Sequence, residues 1–165
     1  ACFAASQFGT EFISLHACAG VKALKMANEA AFEGAAKVNL MPPKLLGITI
    51  LTSWTQESFI DDLLIDQLID QRVKHLAKLI FNSGLGGCVC SPREVKYLRE
   101  NYPATFELVT PGIRILGSDT NDQSRVSDAS EAIKLGASKL VIGRAITQSN
   151  DPACMFKSFC DKVSI

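Results

Sequence analysis

The stretch Phe106-Glu107-Leu108-Val109-Thr110-Pro111-Gly112-Ile113-Arg114 decides how the rest of the chain is read. It is a short apolar run that stops at a Pro-Gly turn and is followed by an arginine. The same shape recurs at Leu140-Val141-Ile142-Gly143-Arg144, and between the two lie a polar loop over 116–127, containing Asp122-Gln123-Ser124-Arg125, and a helix-like segment. Strand, turn and helix in that order are the grammar of a parallel α/β fold, whose ligands sit at the carboxyl ends of the strands. Gly lets a ligand approach backbone N–H groups closely, and Arg offers a planar fork of donors that matches a phosphate. Either turn alone would be explained by a turn glycine and a solvated arginine. Two such turns with a polar loop between them outline a phosphate site, to which Gln123 and Arg125 add donors.

Outward from this stretch the rhythm repeats. Phe8-Gly9, Ser83-Gly84 and Leu135-Gly136 each read as a helix ending at glycine, followed by a few linking residues and a short buried strand. Strands are predicted near residues 11–16, 46–51, 87–90, 106–110 and 139–142, with no hairpin signal between neighbours, so they should be parallel and joined by helices. Residues 1–8 read as the tail of a helix. The apolar positions Val21, Leu24, Met26, Ala27, Ala30 and Ala31 predict a helix over Ala19 to Gly34. Further helices are expected over Glu57 to Ile69, Asp70 to Phe81 and Pro152 to Val163. Ser91-Pro92-Arg93-Glu94 is a helix start, with a capping side chain and Pro at the first helical position. The Leu51-Thr52-Ser53 end of the second strand carries hydroxyls. A complete open sheet and the latter part of a closed barrel both fit this pattern; a whole eight-stranded barrel takes about 250 residues.

Composition narrows the function. The 165 residues are 47% hydrophobic, enough for a single domain over 1–165. Seventeen basic residues balance seventeen acidic ones, so no global field draws in nucleic acid or anionic membrane. No uncharged apolar run reaches the roughly 20 residues of a membrane span, and a soluble, cytoplasmic protein is expected. The six cysteines, Cys2, Cys18, Cys88, Cys90, Cys154 and Cys160, form no Cys-x-x-Cys pair and are expected to be reduced, buried thiols. Cys88 and Cys90 share a strand face, but no His or second Cys pair accompanies them, so no metal site is expected. Lys22, Lys25 and Lys37 read as a solvated face, Asp61, Asp62, Asp66 and Asp70 as a helical-surface charge run, and His16 as a core or rim histidine at a strand end.

The combination Thr-Pro-Gly-Ile-Arg, Asp-Gln-x-Arg and Val-Ile-Gly-Arg-x-Ile-Thr, together with His16-Ala17, Leu51-Thr52-Ser53 and Val89-Cys90-Ser91, resembles the bacterial orotidine 5'-phosphate decarboxylases. The resemblance runs from about Phe12 to Phe159. It implies a (β/α)8 TIM barrel of the ribulose-phosphate-binding type, of which this chain carries about strands 4 to 8. The first three strands would then precede Ala1. It implies loss of carbon dioxide from orotidine 5'-phosphate to give uridine 5'-phosphate, in pyrimidine synthesis, by a homodimer without metal or organic cofactor. By the same resemblance Thr52 bonds the pyrimidine ring, Arg114 and Gln123 belong to the phosphate loop, and Gly143 and Arg144 hold the phosphate. The family's Asp-x-Lys-x-x-Asp motif, whose Lys protonates the reacting carbon, occurs nowhere in these residues, so no catalytic residue is assigned. Another sugar-phosphate decarboxylase of the same barrel family, or a nucleotide-binding remnant without turnover, remain alternatives.

Overall fold

The computed structural model describes residues 1–114 and 127–163. Five parallel strands, β1 (Phe12–His16), β2 (Lys44–Ile48), β3 (Gly87–Val89), β4 (Glu107–Thr110) and β5 (Lys139–Leu140), form one sheet in the order β1-β2-β3-β4-β5. The helices are α1 (Cys2–Ala5), α2 (Gly20–Lys37), α3 (Gln56–Leu63), α4 (Ile69–Asn82), α5 (Pro92–Asn101), α6 (Ala129–Lys134), α7 (Arg144–Thr147) and α8 (Pro152–Val163). The glycines expected beyond helix ends are there for a conformational reason. Gly9, Gly84 and Gly136 have φ of 69°, 77° and 108°, in the region that side chains disfavour.

Strand order separates the open sheet from the barrel. A doubly wound sheet reverses its order at a switch point, whereas here each strand pairs with the next in sequence. Curvature completes the argument. In-register partners share a sheet face, so Phe12, Lys44, Gly87, Glu107 and Lys139 line one face through the pairs Phe12↔Lys44, Leu46↔Gly87, Gly87↔Glu107 and Val109↔Lys139. In a flat sheet β1 and β5 would lie roughly 19 Å apart, with side chains standing perpendicular to the sheet. Yet the Lys139 ammonium sits 5.4 Å from the centre of the Phe12 ring, and its Nζ lies 3.8 Å from Glu11. The sheet therefore curls, bringing its first and fifth strands face to face as opposite staves of a barrel.

The other face packs on the helices. Leu45, Cys88 and Leu108 are fully buried there against Leu24 of α2, Val73 and Ile80 of α4, and Val95 and Leu98 of α5. Burial of such side chains, about 1.5–3 kcal/mol each, is the main force holding the layers together.

Several boundaries differ from the sequence expectation, each for a local reason. The helix expected over Glu57 to Ile69 stops at Leu63, with Leu64 at φ 53°. Gln56 accounts for this: its side-chain amide donates to Gln67 O at 2.9 Å and accepts from Ile69 N–H at 2.9 Å, tying 67–69 back to the start of α3. The strand expected over 46–51 runs instead from Lys44 to Ile48, and the fifth is cut to two residues. On α2, Val21 and Met26 face outward, because the buried stripe follows Leu24, Ala31, Gly34 and Ala35. Of the cysteines only Cys88 and Cys90 are buried; Cys18 and Cys154 are exposed. His16 is exposed at the strand end, a rim position, and the aspartates at 61, 62, 66 and 70 are all on the surface.

Candidate functional site at the carboxyl edge of the sheet

The exits of β2, β3 and β4 enclose a cavity of about 220 Å3 lined by Ile48, Ile50, Leu51, Thr52, Ser53, Val89, Cys90 and Pro111. Thr52, 9% exposed, lies in the tight turn that the Trp54 N–H closes on Leu51 O at 3.3 Å. The remaining wall is mostly apolar. A hydrogen bond with Cys88, then burial, pushes the Cys90 thiol well above its ordinary 9.0, so it lines the cavity as a neutral thiol and not as a nucleophile.

Pro111 connects this cavity to the two glycine turns. The Val141 N–H donates to Thr110 O at 2.9 Å, so β4 and β5 leave the sheet side by side. Gly112 then turns at φ 82°, a conformation that explains glycine there without any ligand. Gly143 differs: it is exposed, its φ of −102° and ψ of −100° are neither helical nor extended, and among the described residues no atom comes within 4 Å of the place a Cβ would occupy. Packing within the described residues gives no reason for its lack of a side chain. Gly143 O accepts from the N–H groups of Ile146 (2.8 Å) and Thr147 (3.1 Å), so Arg144 opens a short helix directly above the β5 exit.

Arg114 is nearly buried, and its Nη1 donates to Ile113 O at 2.8 Å. An isolated parallel bridge joins Ile113 to Ser127: Arg114 N–H donates to Ser127 O at 3.0 Å and Ser127 N–H to Gly112 O at 3.1 Å. Asp128 caps α6. Burial alone would push its carboxyl up, but hydrogen bonds from the Ser130 hydroxyl and N–H, with Lys162 at 3.4 Å, hold it below the ordinary 3.8. Gln123 and Arg125 lie outside the described residues.

Thr52, Gly143 and Arg144 therefore stand at one edge of the sheet with Arg114 beside them, as the sequence pattern requires. The apolar wall of Ile48, Ile50 and Val89 was not foreseen as part of the site. No local alternation announces it: β2 ends at Ile48, and residues 50–53 reach the cavity through the turn that follows. Among the described residues no group of three or more His, Cys, Asp or Glu could hold a metal, and no helix is long and apolar enough to cross a membrane.

The fold and this edge define a parallel α/β protein of the barrel type, with a ring-sized cavity beside two glycine-arginine turns. Within that class, residues 1–159 match the family model described as "Orotidine 5'-phosphate decarboxylase / HUMPS family", and the chain belongs to this family. It is 82% identical over 165 residues to the orotidine 5'-phosphate decarboxylase of Prochlorococcus marinus (strain NATL1A), covering 100% of this chain and 68% of that protein. It is 56% identical over 160 residues to the protein of the same name from P. marinus (strain MIT 9211), covering 97% of this chain and 66% of that one. Among solved structures, the orotidine 5'-phosphate decarboxylase of Lactobacillus acidophilus superposes with a TM-score of 0.84 at 30% identity, over 99% of this chain and 68% of that one. The chain thus spans about two thirds of the length of the relatives it matches.

Proposed function

We propose that this chain forms the phosphate- and base-binding part of an enzyme that decarboxylates orotidine 5'-phosphate to uridine 5'-phosphate in pyrimidine synthesis. The observation that carries the reading is the arrangement at the carboxyl edge, where a small cavity under Thr52 shares Pro111 with the turn leading to Arg114. The names of the relatives support the same substrate. In this reading the ring enters the cavity and meets the Thr52 hydroxyl, while the phosphate rests on the Gly143 backbone and the Arg144 guanidinium. Arg114 and Gln123 serve the loop beside it. The missing Cβ at Gly143 then leaves room for phosphate oxygens.

The chain's own contribution to the chemistry is binding, orientation and exclusion of water. Contacts to the phosphate are remote from the carbon that loses carbon dioxide, and such remote binding energy accelerates a reaction only when it is realised in the transition state. The Lys that protonates the ring carbon in family enzymes has no counterpart in these 165 residues, so no proton transfer is assigned to this chain. A single cytoplasmic domain that works as a homodimer, free of nucleic acid and membrane, completes the proposal.

Calorimetric titration of the intact protein with uridine 5'-phosphate tests the phosphate assignment. Arg144→Ala should cost about 2 kcal/mol, roughly 30-fold in affinity, as expected for a lost charge-assisted contact. Unchanged affinity would remove Arg144 from the site.

A further inference from the structure

Thr49 lies just past the last residue of β2 and is 5% exposed. Its backbone N–H donates to Val89 O at 3.2 Å and its hydroxyl donates to the same oxygen at 2.8 Å. One carbonyl, on the last residue of β3, thus takes two donors from one residue of the neighbouring strand exit. The paired register stops one step earlier, at Ile48↔Val89.

Position makes this double bond consequential. Residues 48 and 50–53 line the carboxyl-edge cavity beside Val89 and Cys90, and Ile48 and Val89 are neighbours in the paired register. Thr49 ties the exit of β2 to the end of β3 at the base of the cavity, three residues before Thr52. Its backbone N–H alone would hold a strand pair; the hydroxyl adds a second restraint that fixes how β2 leaves the sheet.

We propose that Thr49 is a positioning residue for the base end of the site: its hydroxyl holds the path of the chain from β2 to the turn at Thr52 and thereby the reach of Thr52 to the ring. This rests on the functional reading above, which places the ring in that cavity. A merely buried, satisfied threonine would affect stability alone. A positioning residue should affect the ring end of a ligand and leave the phosphate end untouched.

The experiment compares two ligands on the intact protein, uridine 5'-phosphate, which has a ring, and ribose 5-phosphate, which lacks one. Thr49→Val keeps the shape and removes the hydroxyl; it should weaken uridine 5'-phosphate roughly tenfold, about the worth of one hydrogen bond, with ribose 5-phosphate affinity unchanged. Thr49→Ser, which keeps the hydroxyl, should restore nucleotide affinity to within about threefold of wild type. Thr49→Ala provides a second hydroxyl deletion should the valine variant not fold. Equal weakening of both ligands, no weakening of either, or failure of serine to rescue would overturn the proposal. Thr52→Ala is the control for the underlying reading. If it leaves the preference for nucleotide over ribose 5-phosphate unchanged, the ring lies elsewhere and both readings fall; if it abolishes that preference while Thr49→Val does nothing, only the role of Thr49 falls.

Discussion

At the amino edge of the sheet Arg99 donates to Gly136 O at 3.0 Å, Pro103 O at 2.8 Å, Phe106 O at 3.1 Å and Ser138 Oγ at 3.1 Å, and Ser138 Oγ in turn accepts from Leu108 N–H. At the carboxyl edge the corresponding places hold glycine turns and a small cavity. One edge satisfies its polar groups within the protein, through a guanidinium spanning two loops, a Lys44–Glu107 pair at 2.6 Å, and the mutually packed rings of Phe81, Tyr102 and Phe106. The other encloses open space at the strand exits. Barrel folds divide stability and chemistry between their ends in this way, and the division can be tested by substitution.

The largest effect should come from Arg99→Met, which keeps the aliphatic stem and strips four hydrogen bonds from two loops. A loss of about 3 kcal/mol in urea unfolding is expected, since carbonyl oxygens are left without donors. Affinity for uridine 5'-phosphate should be unaffected below the transition. Weakened binding with unchanged stability would mean that the two edges are not separate in function.

Gly87→Ala comes next, at about 2 kcal/mol. A Cβ on Gly87 would run into the backbone of Glu107 on the adjacent strand, which cannot rotate away as a side chain could. A thermal midpoint equal to that of the wild type would show that β3 and β4 can part there at no cost.

The smallest effect, about 1 kcal/mol at pH 7, is expected for Glu107→Gln, because Lys44 is half exposed and solvent screens the pair. Its value lies in its pH dependence. Burial alone would push the Glu107 carboxyl up, but the hydrogen bond and charge of Lys44, aided by Ser138 and Lys139, hold it below the ordinary 4.5. A depressed carboxyl stabilises the fold above its unfolded pKa, and that contribution is lost as pH falls through the lower folded value. The stability gap between wild type and Glu107→Gln should therefore be constant above about pH 5 and close below 4.5. A gap that does not narrow as the pH falls below 4.5 would assign the stabilisation to packing and not to charge.

The same two edges differ in how far the sequence discloses them. Glycine past a helix end, Pro92 after Ser91 and the period of Val73, Leu76 and Ile80 are local signals, and they located all five strands and most helices. The placement of Gly112, Arg114, Gly143 and Arg144 just past strand exits was legible from the same local signals. What escaped was set by contacts distant in sequence. Gln56 ends a helix by reaching Gln67 and Ile69, the Thr49 hydroxyl reaches Val89, and Arg99 reaches Gly136 and Ser138. No window of ten or fifteen residues contains both partners of the last two contacts. Curvature was hidden for the same reason, since only the meeting of Phe12 with Lys139 reveals it.

That meeting also bears on how the chain acquires its shape. Every strand pairs with its successor, so each step of sheet growth closes only the loop containing one intervening helical segment, and assembly can begin at any adjacent pair and spread outward. The Phe12–Lys139 contact joins β1 to β5, two strands that share no ladder bond, so it gains nothing until the strands between them are paired and curved. It acts as a clasp across the sheet, where the ladder bonds run from neighbour to neighbour.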